Sequence, residues 1–184
     1  MPTLETAGLT VQERGIIASR ASARYSGELL RAEHQLVSVY RPSARRTRER
    51  PYYSRGQEIV VQWEDSGQPI PAWFDILMQG FVDLLTLPVN WDSYGAGPID
   101  TKIIQRALDS LDSLMRASTP APRVVPLSSG GLQVEWHRKG IDLEIVFDKG
   151  EEPFFYYKAP SGEESEHSLA LNTDLLISII RNLE

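Results

Sequence analysis

Leu132-Gln133-Val134-Glu135-Trp136-His137-Arg138-Lys139-Gly140-Ile141-Asp142-Leu143-Glu144-Ile145-Val146-Phe147 is the stretch whose reading decides the fold. Leu132, Val134 and Trp136 alternate with Gln133, Glu135 and His137. Ile141, Leu143, Ile145 and Phe147 alternate with Asp142 and Glu144, and only Val146 interrupts the second polar set. A period of two sends successive side chains to opposite faces, so each half is a half-buried strand. Parity then limits how the halves pair. With Lys139-Gly140 as a two-residue loop, Trp136 lies opposite Leu143 and Val134 opposite Ile145, so apolar meets apolar. A four-residue loop over His137 to Gly140 keeps that parity. A three-residue loop sets Trp136 against Asp142 and is rejected unless a bulge intervenes.

Reading outward, the turn Lys149-Gly150-Glu151-Glu152 leads to a strand at residues 154–158, with Phe154 and Tyr156 toward the core and Phe155 and Tyr157 beside Val146 on the other face. Residues 123–127 supply a further strand, and residues 160–168 read as a polar loop. Three stretches change to helical period. Trp73, Phe74, Leu77, Phe81, Leu84 and Leu85 form one broad stripe. Gly80 within it costs about 1 kcal/mol relative to Ala, so another element is expected to approach closely there. Ile103, Ile104, Ala107, Leu108, Leu111, Leu114 and Met115 form the clearest stripe, with Asp100 suited to its positive end. Leu175, Leu176, Ile179, Ile180 and Leu183 form the third, capped by Asn172 or Thr173. The expected fold is α+β: an antiparallel sheet of three to five strands with helices 71–86, 99–116 and 172–183 packed mainly on one face.

Glu58 to Trp63 reads as a short strand, and residues 10–24 and 28–40 as helix candidates. Residues 41–56 are bracketed by proline, rich in arginine and almost free of aliphatic side chains. That composition predicts a flexible arm. The organisation expected is an arginine-rich extension over 1–56, partly helical with its arm at 41–56, and an acidic core over 57–184. Ten Arg against five Glu lie in the first part, while nine basic groups face twenty acidic ones in the second. Such a split predicts that the basic part lies on the acidic body or reaches an anionic partner.

The chain of 184 residues is 41% apolar and 24% charged, a globular mixture. It has no cysteine, which excludes disulfides, thiolate metal sites and a cysteine nucleophile. The first residues lack the pattern of a secretory signal and no apolar run approaches bilayer length, so a cytoplasmic protein with no membrane partner is expected.

In the two-residue-loop register His137 faces Asp142 and Glu135 faces Glu144. These four residues are the candidates for acid/base or divalent-cation chemistry. No second histidine stands at metal-ligand spacing, and neither a nucleophile elbow nor a phosphate-loop or dinucleotide fingerprint is present. On that spacing argument no metal and no cofactor are expected. The connection holding Trp91, Asp92, Tyr94 and Gly95 predicts a structural turn, with Asp92 accepting from nearby backbone N–H groups and Gly95 absorbing an unusual dihedral.

The run Leu87-Pro88-Val89-Asn90-Trp91-Asp92-Ser93-Tyr94-Gly95-Ala96-Gly97-Pro98, with the later Gly130-Gly131-Leu132-Gln133-Val134-Glu135-Trp136, resembles small uncharacterised prokaryotic proteins that share a Trp-Asp-Gly-Tyr-Gly-Ala-like turn and an apolar-Glu-Trp strand. The resemblance covers roughly residues 85–147. It implies an association with mobile or defence genes and no settled activity. Ser93 stands where that turn has glycine, so a glycine-only dihedral is not expected there.

The expected function is a non-enzymatic protein-interaction or regulatory module, binding a protein partner or itself. Its predicted contacts are Arg45, Arg46, Arg48, Arg50, Tyr52, Tyr53 and Arg55 of the arm with Phe155 and Tyr157 of the sheet, since Arg and Tyr are good interface anchors. One alternative is a nucleic-acid-associated protein, in which the arginines neutralise phosphates and Tyr52 or Tyr53 stacks on a base. The other is a small metal-dependent or acid/base hydrolase using the polar sheet face.

Overall fold

The computed structural model describes residues 47–184 apart from Ser66, together with the backbone of four short strands before residue 47. In chain order the elements are β1 (Leu9–Gln12), β2 (Gly15–Ala18), β3 (Leu30–Ala32), β4 (Gln35–Val37), β5 (Thr47–Ser54), β6 (Gln57–Glu64), α1 (Ala72–Leu85) and α2 (Thr101–Leu114). There follow β7 (Arg123–Pro126), β8 (Leu132–Arg138), β9 (Ile141–Phe147), β10 (Phe154–Lys158), β11 (Glu164–Ser168) and α3 (Thr173–Leu183).

The decisive hairpin is β8–β9, and it takes the register parity requires: Trp136 pairs with Leu143 and Val134 with Ile145. Lys139 and Gly140 both turn at positive φ, 55° and 75°. That is the twist a two-residue hairpin needs. The hairpin sits in a five-stranded antiparallel sheet of order β11-β10-β9-β8-β7. Its inner face carries Leu132, Val134, Trp136, Leu143, Ile145, Phe147 and Phe155, all buried against the helical layer with Ile104, Leu111, Leu176 and Ile180. The α+β class, the five strands and the helices on one face follow directly from the alternation and the three stripes. Asp100 caps α2 by accepting from the Lys102 N–H at 2.9 Å. A Cβ on Gly80 would lie 2.6 Å from Val124 Cγ2, so glycine is what lets α1 and β7 meet.

Two readings of the sheet need correction. A four-residue loop over 149–152 would pair Val146 with Phe155, but the observed register pairs Val146 with Phe154 and Ile145 with Phe155. One residue of slip exchanges the faces of a strand. Phe155 is therefore fully buried in the core and Tyr157 packs partly buried against it, while Phe154 and Tyr156 lie on the outer face. Neither Phe155 nor Tyr157 is an exposed contact residue. Within residues 160–168, moreover, Glu164–Ser168 is a strand that pairs with β10, its polar residues suiting an edge.

The second sheet has the order β1-β2-β6-β5, with β2 and β6 parallel and the other pairs antiparallel. α1 contacts β5 and β7, and α2 contacts β1 and β9, so the two helices lie between the sheets. The helix expectations over 10–24 and 28–40 are overturned where the chain is described. Val11, Ile16 and Ile17 are β-branched and lie in β1 and β2, while Leu30–Ala32 pairs with Gln35–Val37. The rest of those two stretches lies outside the described residues.

The arm expectation is corrected as well. Residues 47–54 form β5, joined to β6 by Arg55 and Gly56 at φ 48° and 76°. Charge pairing, which composition alone does not reveal, holds this strand. Arg48 Nε meets Asp65 Oδ2 at 2.8 Å, and Arg50 pairs with Asp75 of α1. The Tyr52 hydroxyl donates to Asp75 Oδ1 at 2.7 Å, and Arg55 donates to the Asp83 carbonyl at 2.7 Å and the Thr86 hydroxyl at 3.0 Å. The basic segment lies on the acidic body along this strand.

Candidate metal centre on the polar sheet face

The outer face of the five-stranded sheet is set by the register of the inner one. With Trp136 and Leu143 turned inward, Glu135 and Glu144 must face outward as direct cross-strand partners, as must His137 and Asp142. The four residues singled out by alternation are thus assembled as expected. The next strands extend the row: Arg123 of β7 pairs with Glu135, and Tyr156 of β10 pairs with Glu144.

Within this group Glu135, His137 and Glu144 each offer a ligand atom, and the three atoms lie within 4.8 Å of one another. His137 Nε2 is 3.6 Å from Glu135 Oε2, while its Nδ1 is 2.8 Å from Asp142 Oδ1. With the proton on Nδ1 donated to Asp142, Nε2 is a free lone pair aimed at the carboxylates. Two donors each about 2 Å from a tetrahedral ion sit roughly 3.3 Å apart, so the His137–Glu135 pair is already near ligand spacing.

Glu135 is unusual on an exposed face, being only 9% accessible. Gln133 Nε2 donates to its Oε2 at 3.2 Å, and Arg123 approaches its Oε1 at 3.4 Å. Its carboxylate is fixed from three sides. Two carboxylates directly opposed on neighbouring strands repel each other, and a cation between them removes that cost. The His137 pKa is raised by its hydrogen bond to Asp142 and by Glu135, against an opposing effect of burial.

Sequence reasoning identified Glu135, His137, Asp142 and Glu144 but missed Gln133, Arg123 and Tyr156. Gln133 was visible by parity as an outward neighbour of Glu135. Arg123 was not, because nothing in residues 123–127 specifies their register against β8.

The arm residues do not join this cluster. Tyr52 is buried beneath α1, and Arg48, Arg50 and Arg55 are held by acceptors of the same chain. Tyr53 is exposed, and Arg45 and Arg46 lie outside the described residues.

The Trp91 turn is the tied structural turn expected. Asp92 Oδ1 accepts from the Tyr94 N–H at 2.8 Å and the Ala96 N–H at 3.1 Å, and its Oδ2 accepts from the Ser128 hydroxyl at 2.8 Å. These bonds, that from Tyr94 foremost, hold the Asp92 pKa below the ordinary carboxylate value. Gly95 has φ 95°, as its role requires. Ser93, however, takes φ 66°, in the left-handed region that glycine favours.

Among the described residues no helix is long and apolar enough to cross a membrane. No family model matches the sequence, and comparisons with curated proteins and with solved structures find no match either.

Proposed function

We propose that the chain is a metal-binding protein whose centre is a divalent transition-metal site on the outer sheet face, with Glu135, His137 and Glu144 as ligands and Asp142 holding the His137 ring. One observation carries the reading: three ligand atoms of the right types within 4.8 Å, with the second ring nitrogen of the histidine tied to a carboxylate. A carboxylate behind the ligating histidine fixes its tautomer and raises its basicity. One imidazole with two carboxylates suits zinc, cobalt or manganese. Three protein ligands leave a coordination position for water, as in catalytic centres and unlike the four-ligand structural ones. A metal held by Glu135, His137 and Glu144 would supply Lewis acidity that lowers the pKa of a bound water, which is the basis of a hydrolytic role.

The test is calorimetric titration of the chelator-treated protein with Zn²⁺ and Co²⁺. One equivalent is expected to bind, with affinity lowered about 10–100-fold in Asp142→Asn and further in Glu135→Gln and His137→Ala. No stoichiometric uptake, or uptake unaffected by all three substitutions, overturns the reading.

A second reading, the protein-interaction module, rests on Val89 and Tyr94, 72% and 93% accessible on the tied turn. A fixed turn presents these side chains at little ordering cost on binding. Its test is capture of a specific partner by the intact protein and loss of that partner in Val89→Ser/Tyr94→Ser. Capture that persists in the double variant overturns it.

A further inference from the structure

We propose that the five-stranded sheet takes a sixth strand at the free edge of β7. The occupant is an extended segment of a protein partner, with an apolar residue opposite Val124 and a basic residue two positions from it. This surface uses none of the ligands of the metal centre and does not depend on it.

β7 ends the strand order, so one of its edges pairs with no strand among the described residues. The Leu127 N–H donates to the Gly131 carbonyl at 3.0 Å, which fixes the phase of the β7–β8 ladder. In antiparallel pairing, bonded and non-bonded pairs alternate. Val125 and Gln133 therefore exchange bonds, as do Arg123 and Glu135, while Val124 turns its N–H and C=O away from β8. Prolines stand two residues to either side, Pro122 and Pro126, where further outward N–H groups would otherwise lie. Proline blunts this edge and leaves Val124 as its one open donor and acceptor pair. Neither group is bonded elsewhere among the described residues.

The surroundings of that residue set the occupant. The Val124 side chain points inward onto Gly80 of α1. A residue paired with Val124 across the free edge also points inward, into the open groove lined by Ile76, Gly80 and Val124. Ile76, one turn before Gly80, is 59% accessible, and an apolar side chain there covers it. Asp75, at that end of the groove, is taken by Arg50 and Tyr52. At the other end the Asp83 carboxylate accepts from Gln79 Nε2 at 3.0 Å, while Arg55 bonds the Asp83 carbonyl instead. Among the described residues no cation pairs with that carboxylate. Asp83 stands about 4.5 Å beyond Gly80 along α1, and two residues of a strand advance about 6.7 Å. A Lys or Arg two positions from the apolar residue, on the same face, therefore reaches it. A second copy of this chain fits poorly. β7 against β7 sets Pro122 opposite Pro126, where neither supplies a donor, and the β11 edge carries Glu164 and Glu166 with no Lys or Arg.

The experiment uses the full chain and two end-blocked peptides as probes, Thr-Lys-Thr-Val-Thr-Lys-Thr and the same peptide with Glu in place of Lys. Hydrogen exchange followed by NMR is expected to show a fast Val124 amide in the free chain that slows when the lysine peptide is added. The glutamate peptide is expected to bind about tenfold more weakly, for the loss of one charge-assisted contact. Asp83→Asn is expected to remove that difference. Val124→Pro deletes the outward donor without touching the ladder to β8 and is expected to abolish binding. A Val124 amide unmoved by the lysine peptide, equal affinity of the wild type for the two peptides, or full binding by Val124→Pro overturns the inference. So does a Val124 amide already protected in the free chain: protection independent of protein concentration assigns the edge to the chain itself, and protection that rises with concentration assigns it to a second copy.

Discussion

The hairpins β5–β6 and β8–β9 share one design at their tips and differ in what holds their sides. Each turns through two residues, Arg55-Gly56 and Lys139-Gly140, with closely similar positive dihedrals. From there β8–β9 commits one whole face to the core, burying Leu132, Val134, Trp136, Ile141, Leu143, Ile145 and Phe147. Among its described side chains β5–β6 buries only Tyr52, Val61 and Trp63, and β5 is fastened to α1 and to Asp65 by charged and polar bonds. Burial of apolar area is indifferent to the sign and state of surface charges, so β8–β9 can carry an acidic cluster on its outer face. A strand held by ion pairs has no such freedom, because its charges are already used.

The largest expected effect measures the contrast directly. Phe147→Ala removes a fully buried ring from β9 and is expected to cost about 3–5 kcal/mol. Tyr53→Ala in β5 removes a side chain that is 63% accessible and is expected to change stability by less than about 0.5 kcal/mol. Urea unfolding of both variants checks this. A Phe147→Ala cost near that of Tyr53→Ala would refute the burial assigned to β9.

The next effect belongs to β5–β6 alone. Asp75→Ala strips the acceptor from the Tyr52 hydroxyl and the partner from Arg50. The part-buried hydroxyl bond is worth about 1 kcal/mol, and the exposed ion pair adds at most about 1 kcal/mol because water and salt screen it. Raising salt is expected to destabilise the wild type slightly and the Asp75→Ala variant less. Equal salt dependence of the two proteins would show that the pair contributes nothing.

The same contrast explains what the sequence discloses. Alternation over 132–147 is legible because core and solvent are different environments, and a tight turn then ties Glu135 to Glu144 and His137 to Asp142 by parity. The strand β5 is opaque because its stabilising groups, Asp75, Asp83 and Thr86, arrive from a helix remote in sequence. In isolation its arginines have the composition of an unfolded arm. The faces of Phe154 and Phe155 depend on one residue of loop length between β9 and β10, which periodicity within either strand cannot count. Arg123 is hidden for the same reason, since the register of β7 is set by packing of Val124 on Gly80 and not by its own pattern.

A matched pair of turn substitutions separates tip from sides. Asparagine tolerates the left-handed region better than Arg or Lys, so it relieves backbone strain equally at both tips. Lys139→Asn gives up only a 3.4 Å contact with the Asn182 carbonyl and is expected to stabilise the protein by up to about 1 kcal/mol. Arg55→Asn also loses the bonds to the Asp83 carbonyl and Thr86 and is expected to destabilise it by about 1 kcal/mol. Thermal melts of the two variants check the signs. If both rise, Arg55 is a turn residue and not a clamp.

The smallest effect is one of pH. The hydrogen bond that His137 donates to Asp142, with help from Glu135, raises the His137 pKa above the ordinary histidine value of about 6.5. A group that binds its proton more tightly when folded contributes stability that is fully present below its unfolded pKa. That contribution is lost as pH rises through the higher folded value. In chelator-containing buffer the stability difference between wild type and His137→Gln is therefore expected to be largest near pH 5 and to shrink steadily above pH 7. A His137→Gln difference that does not vary with pH would remove the Asp142–His137 bond from the description of the site, and with it the group that orients the imidazole toward Glu135.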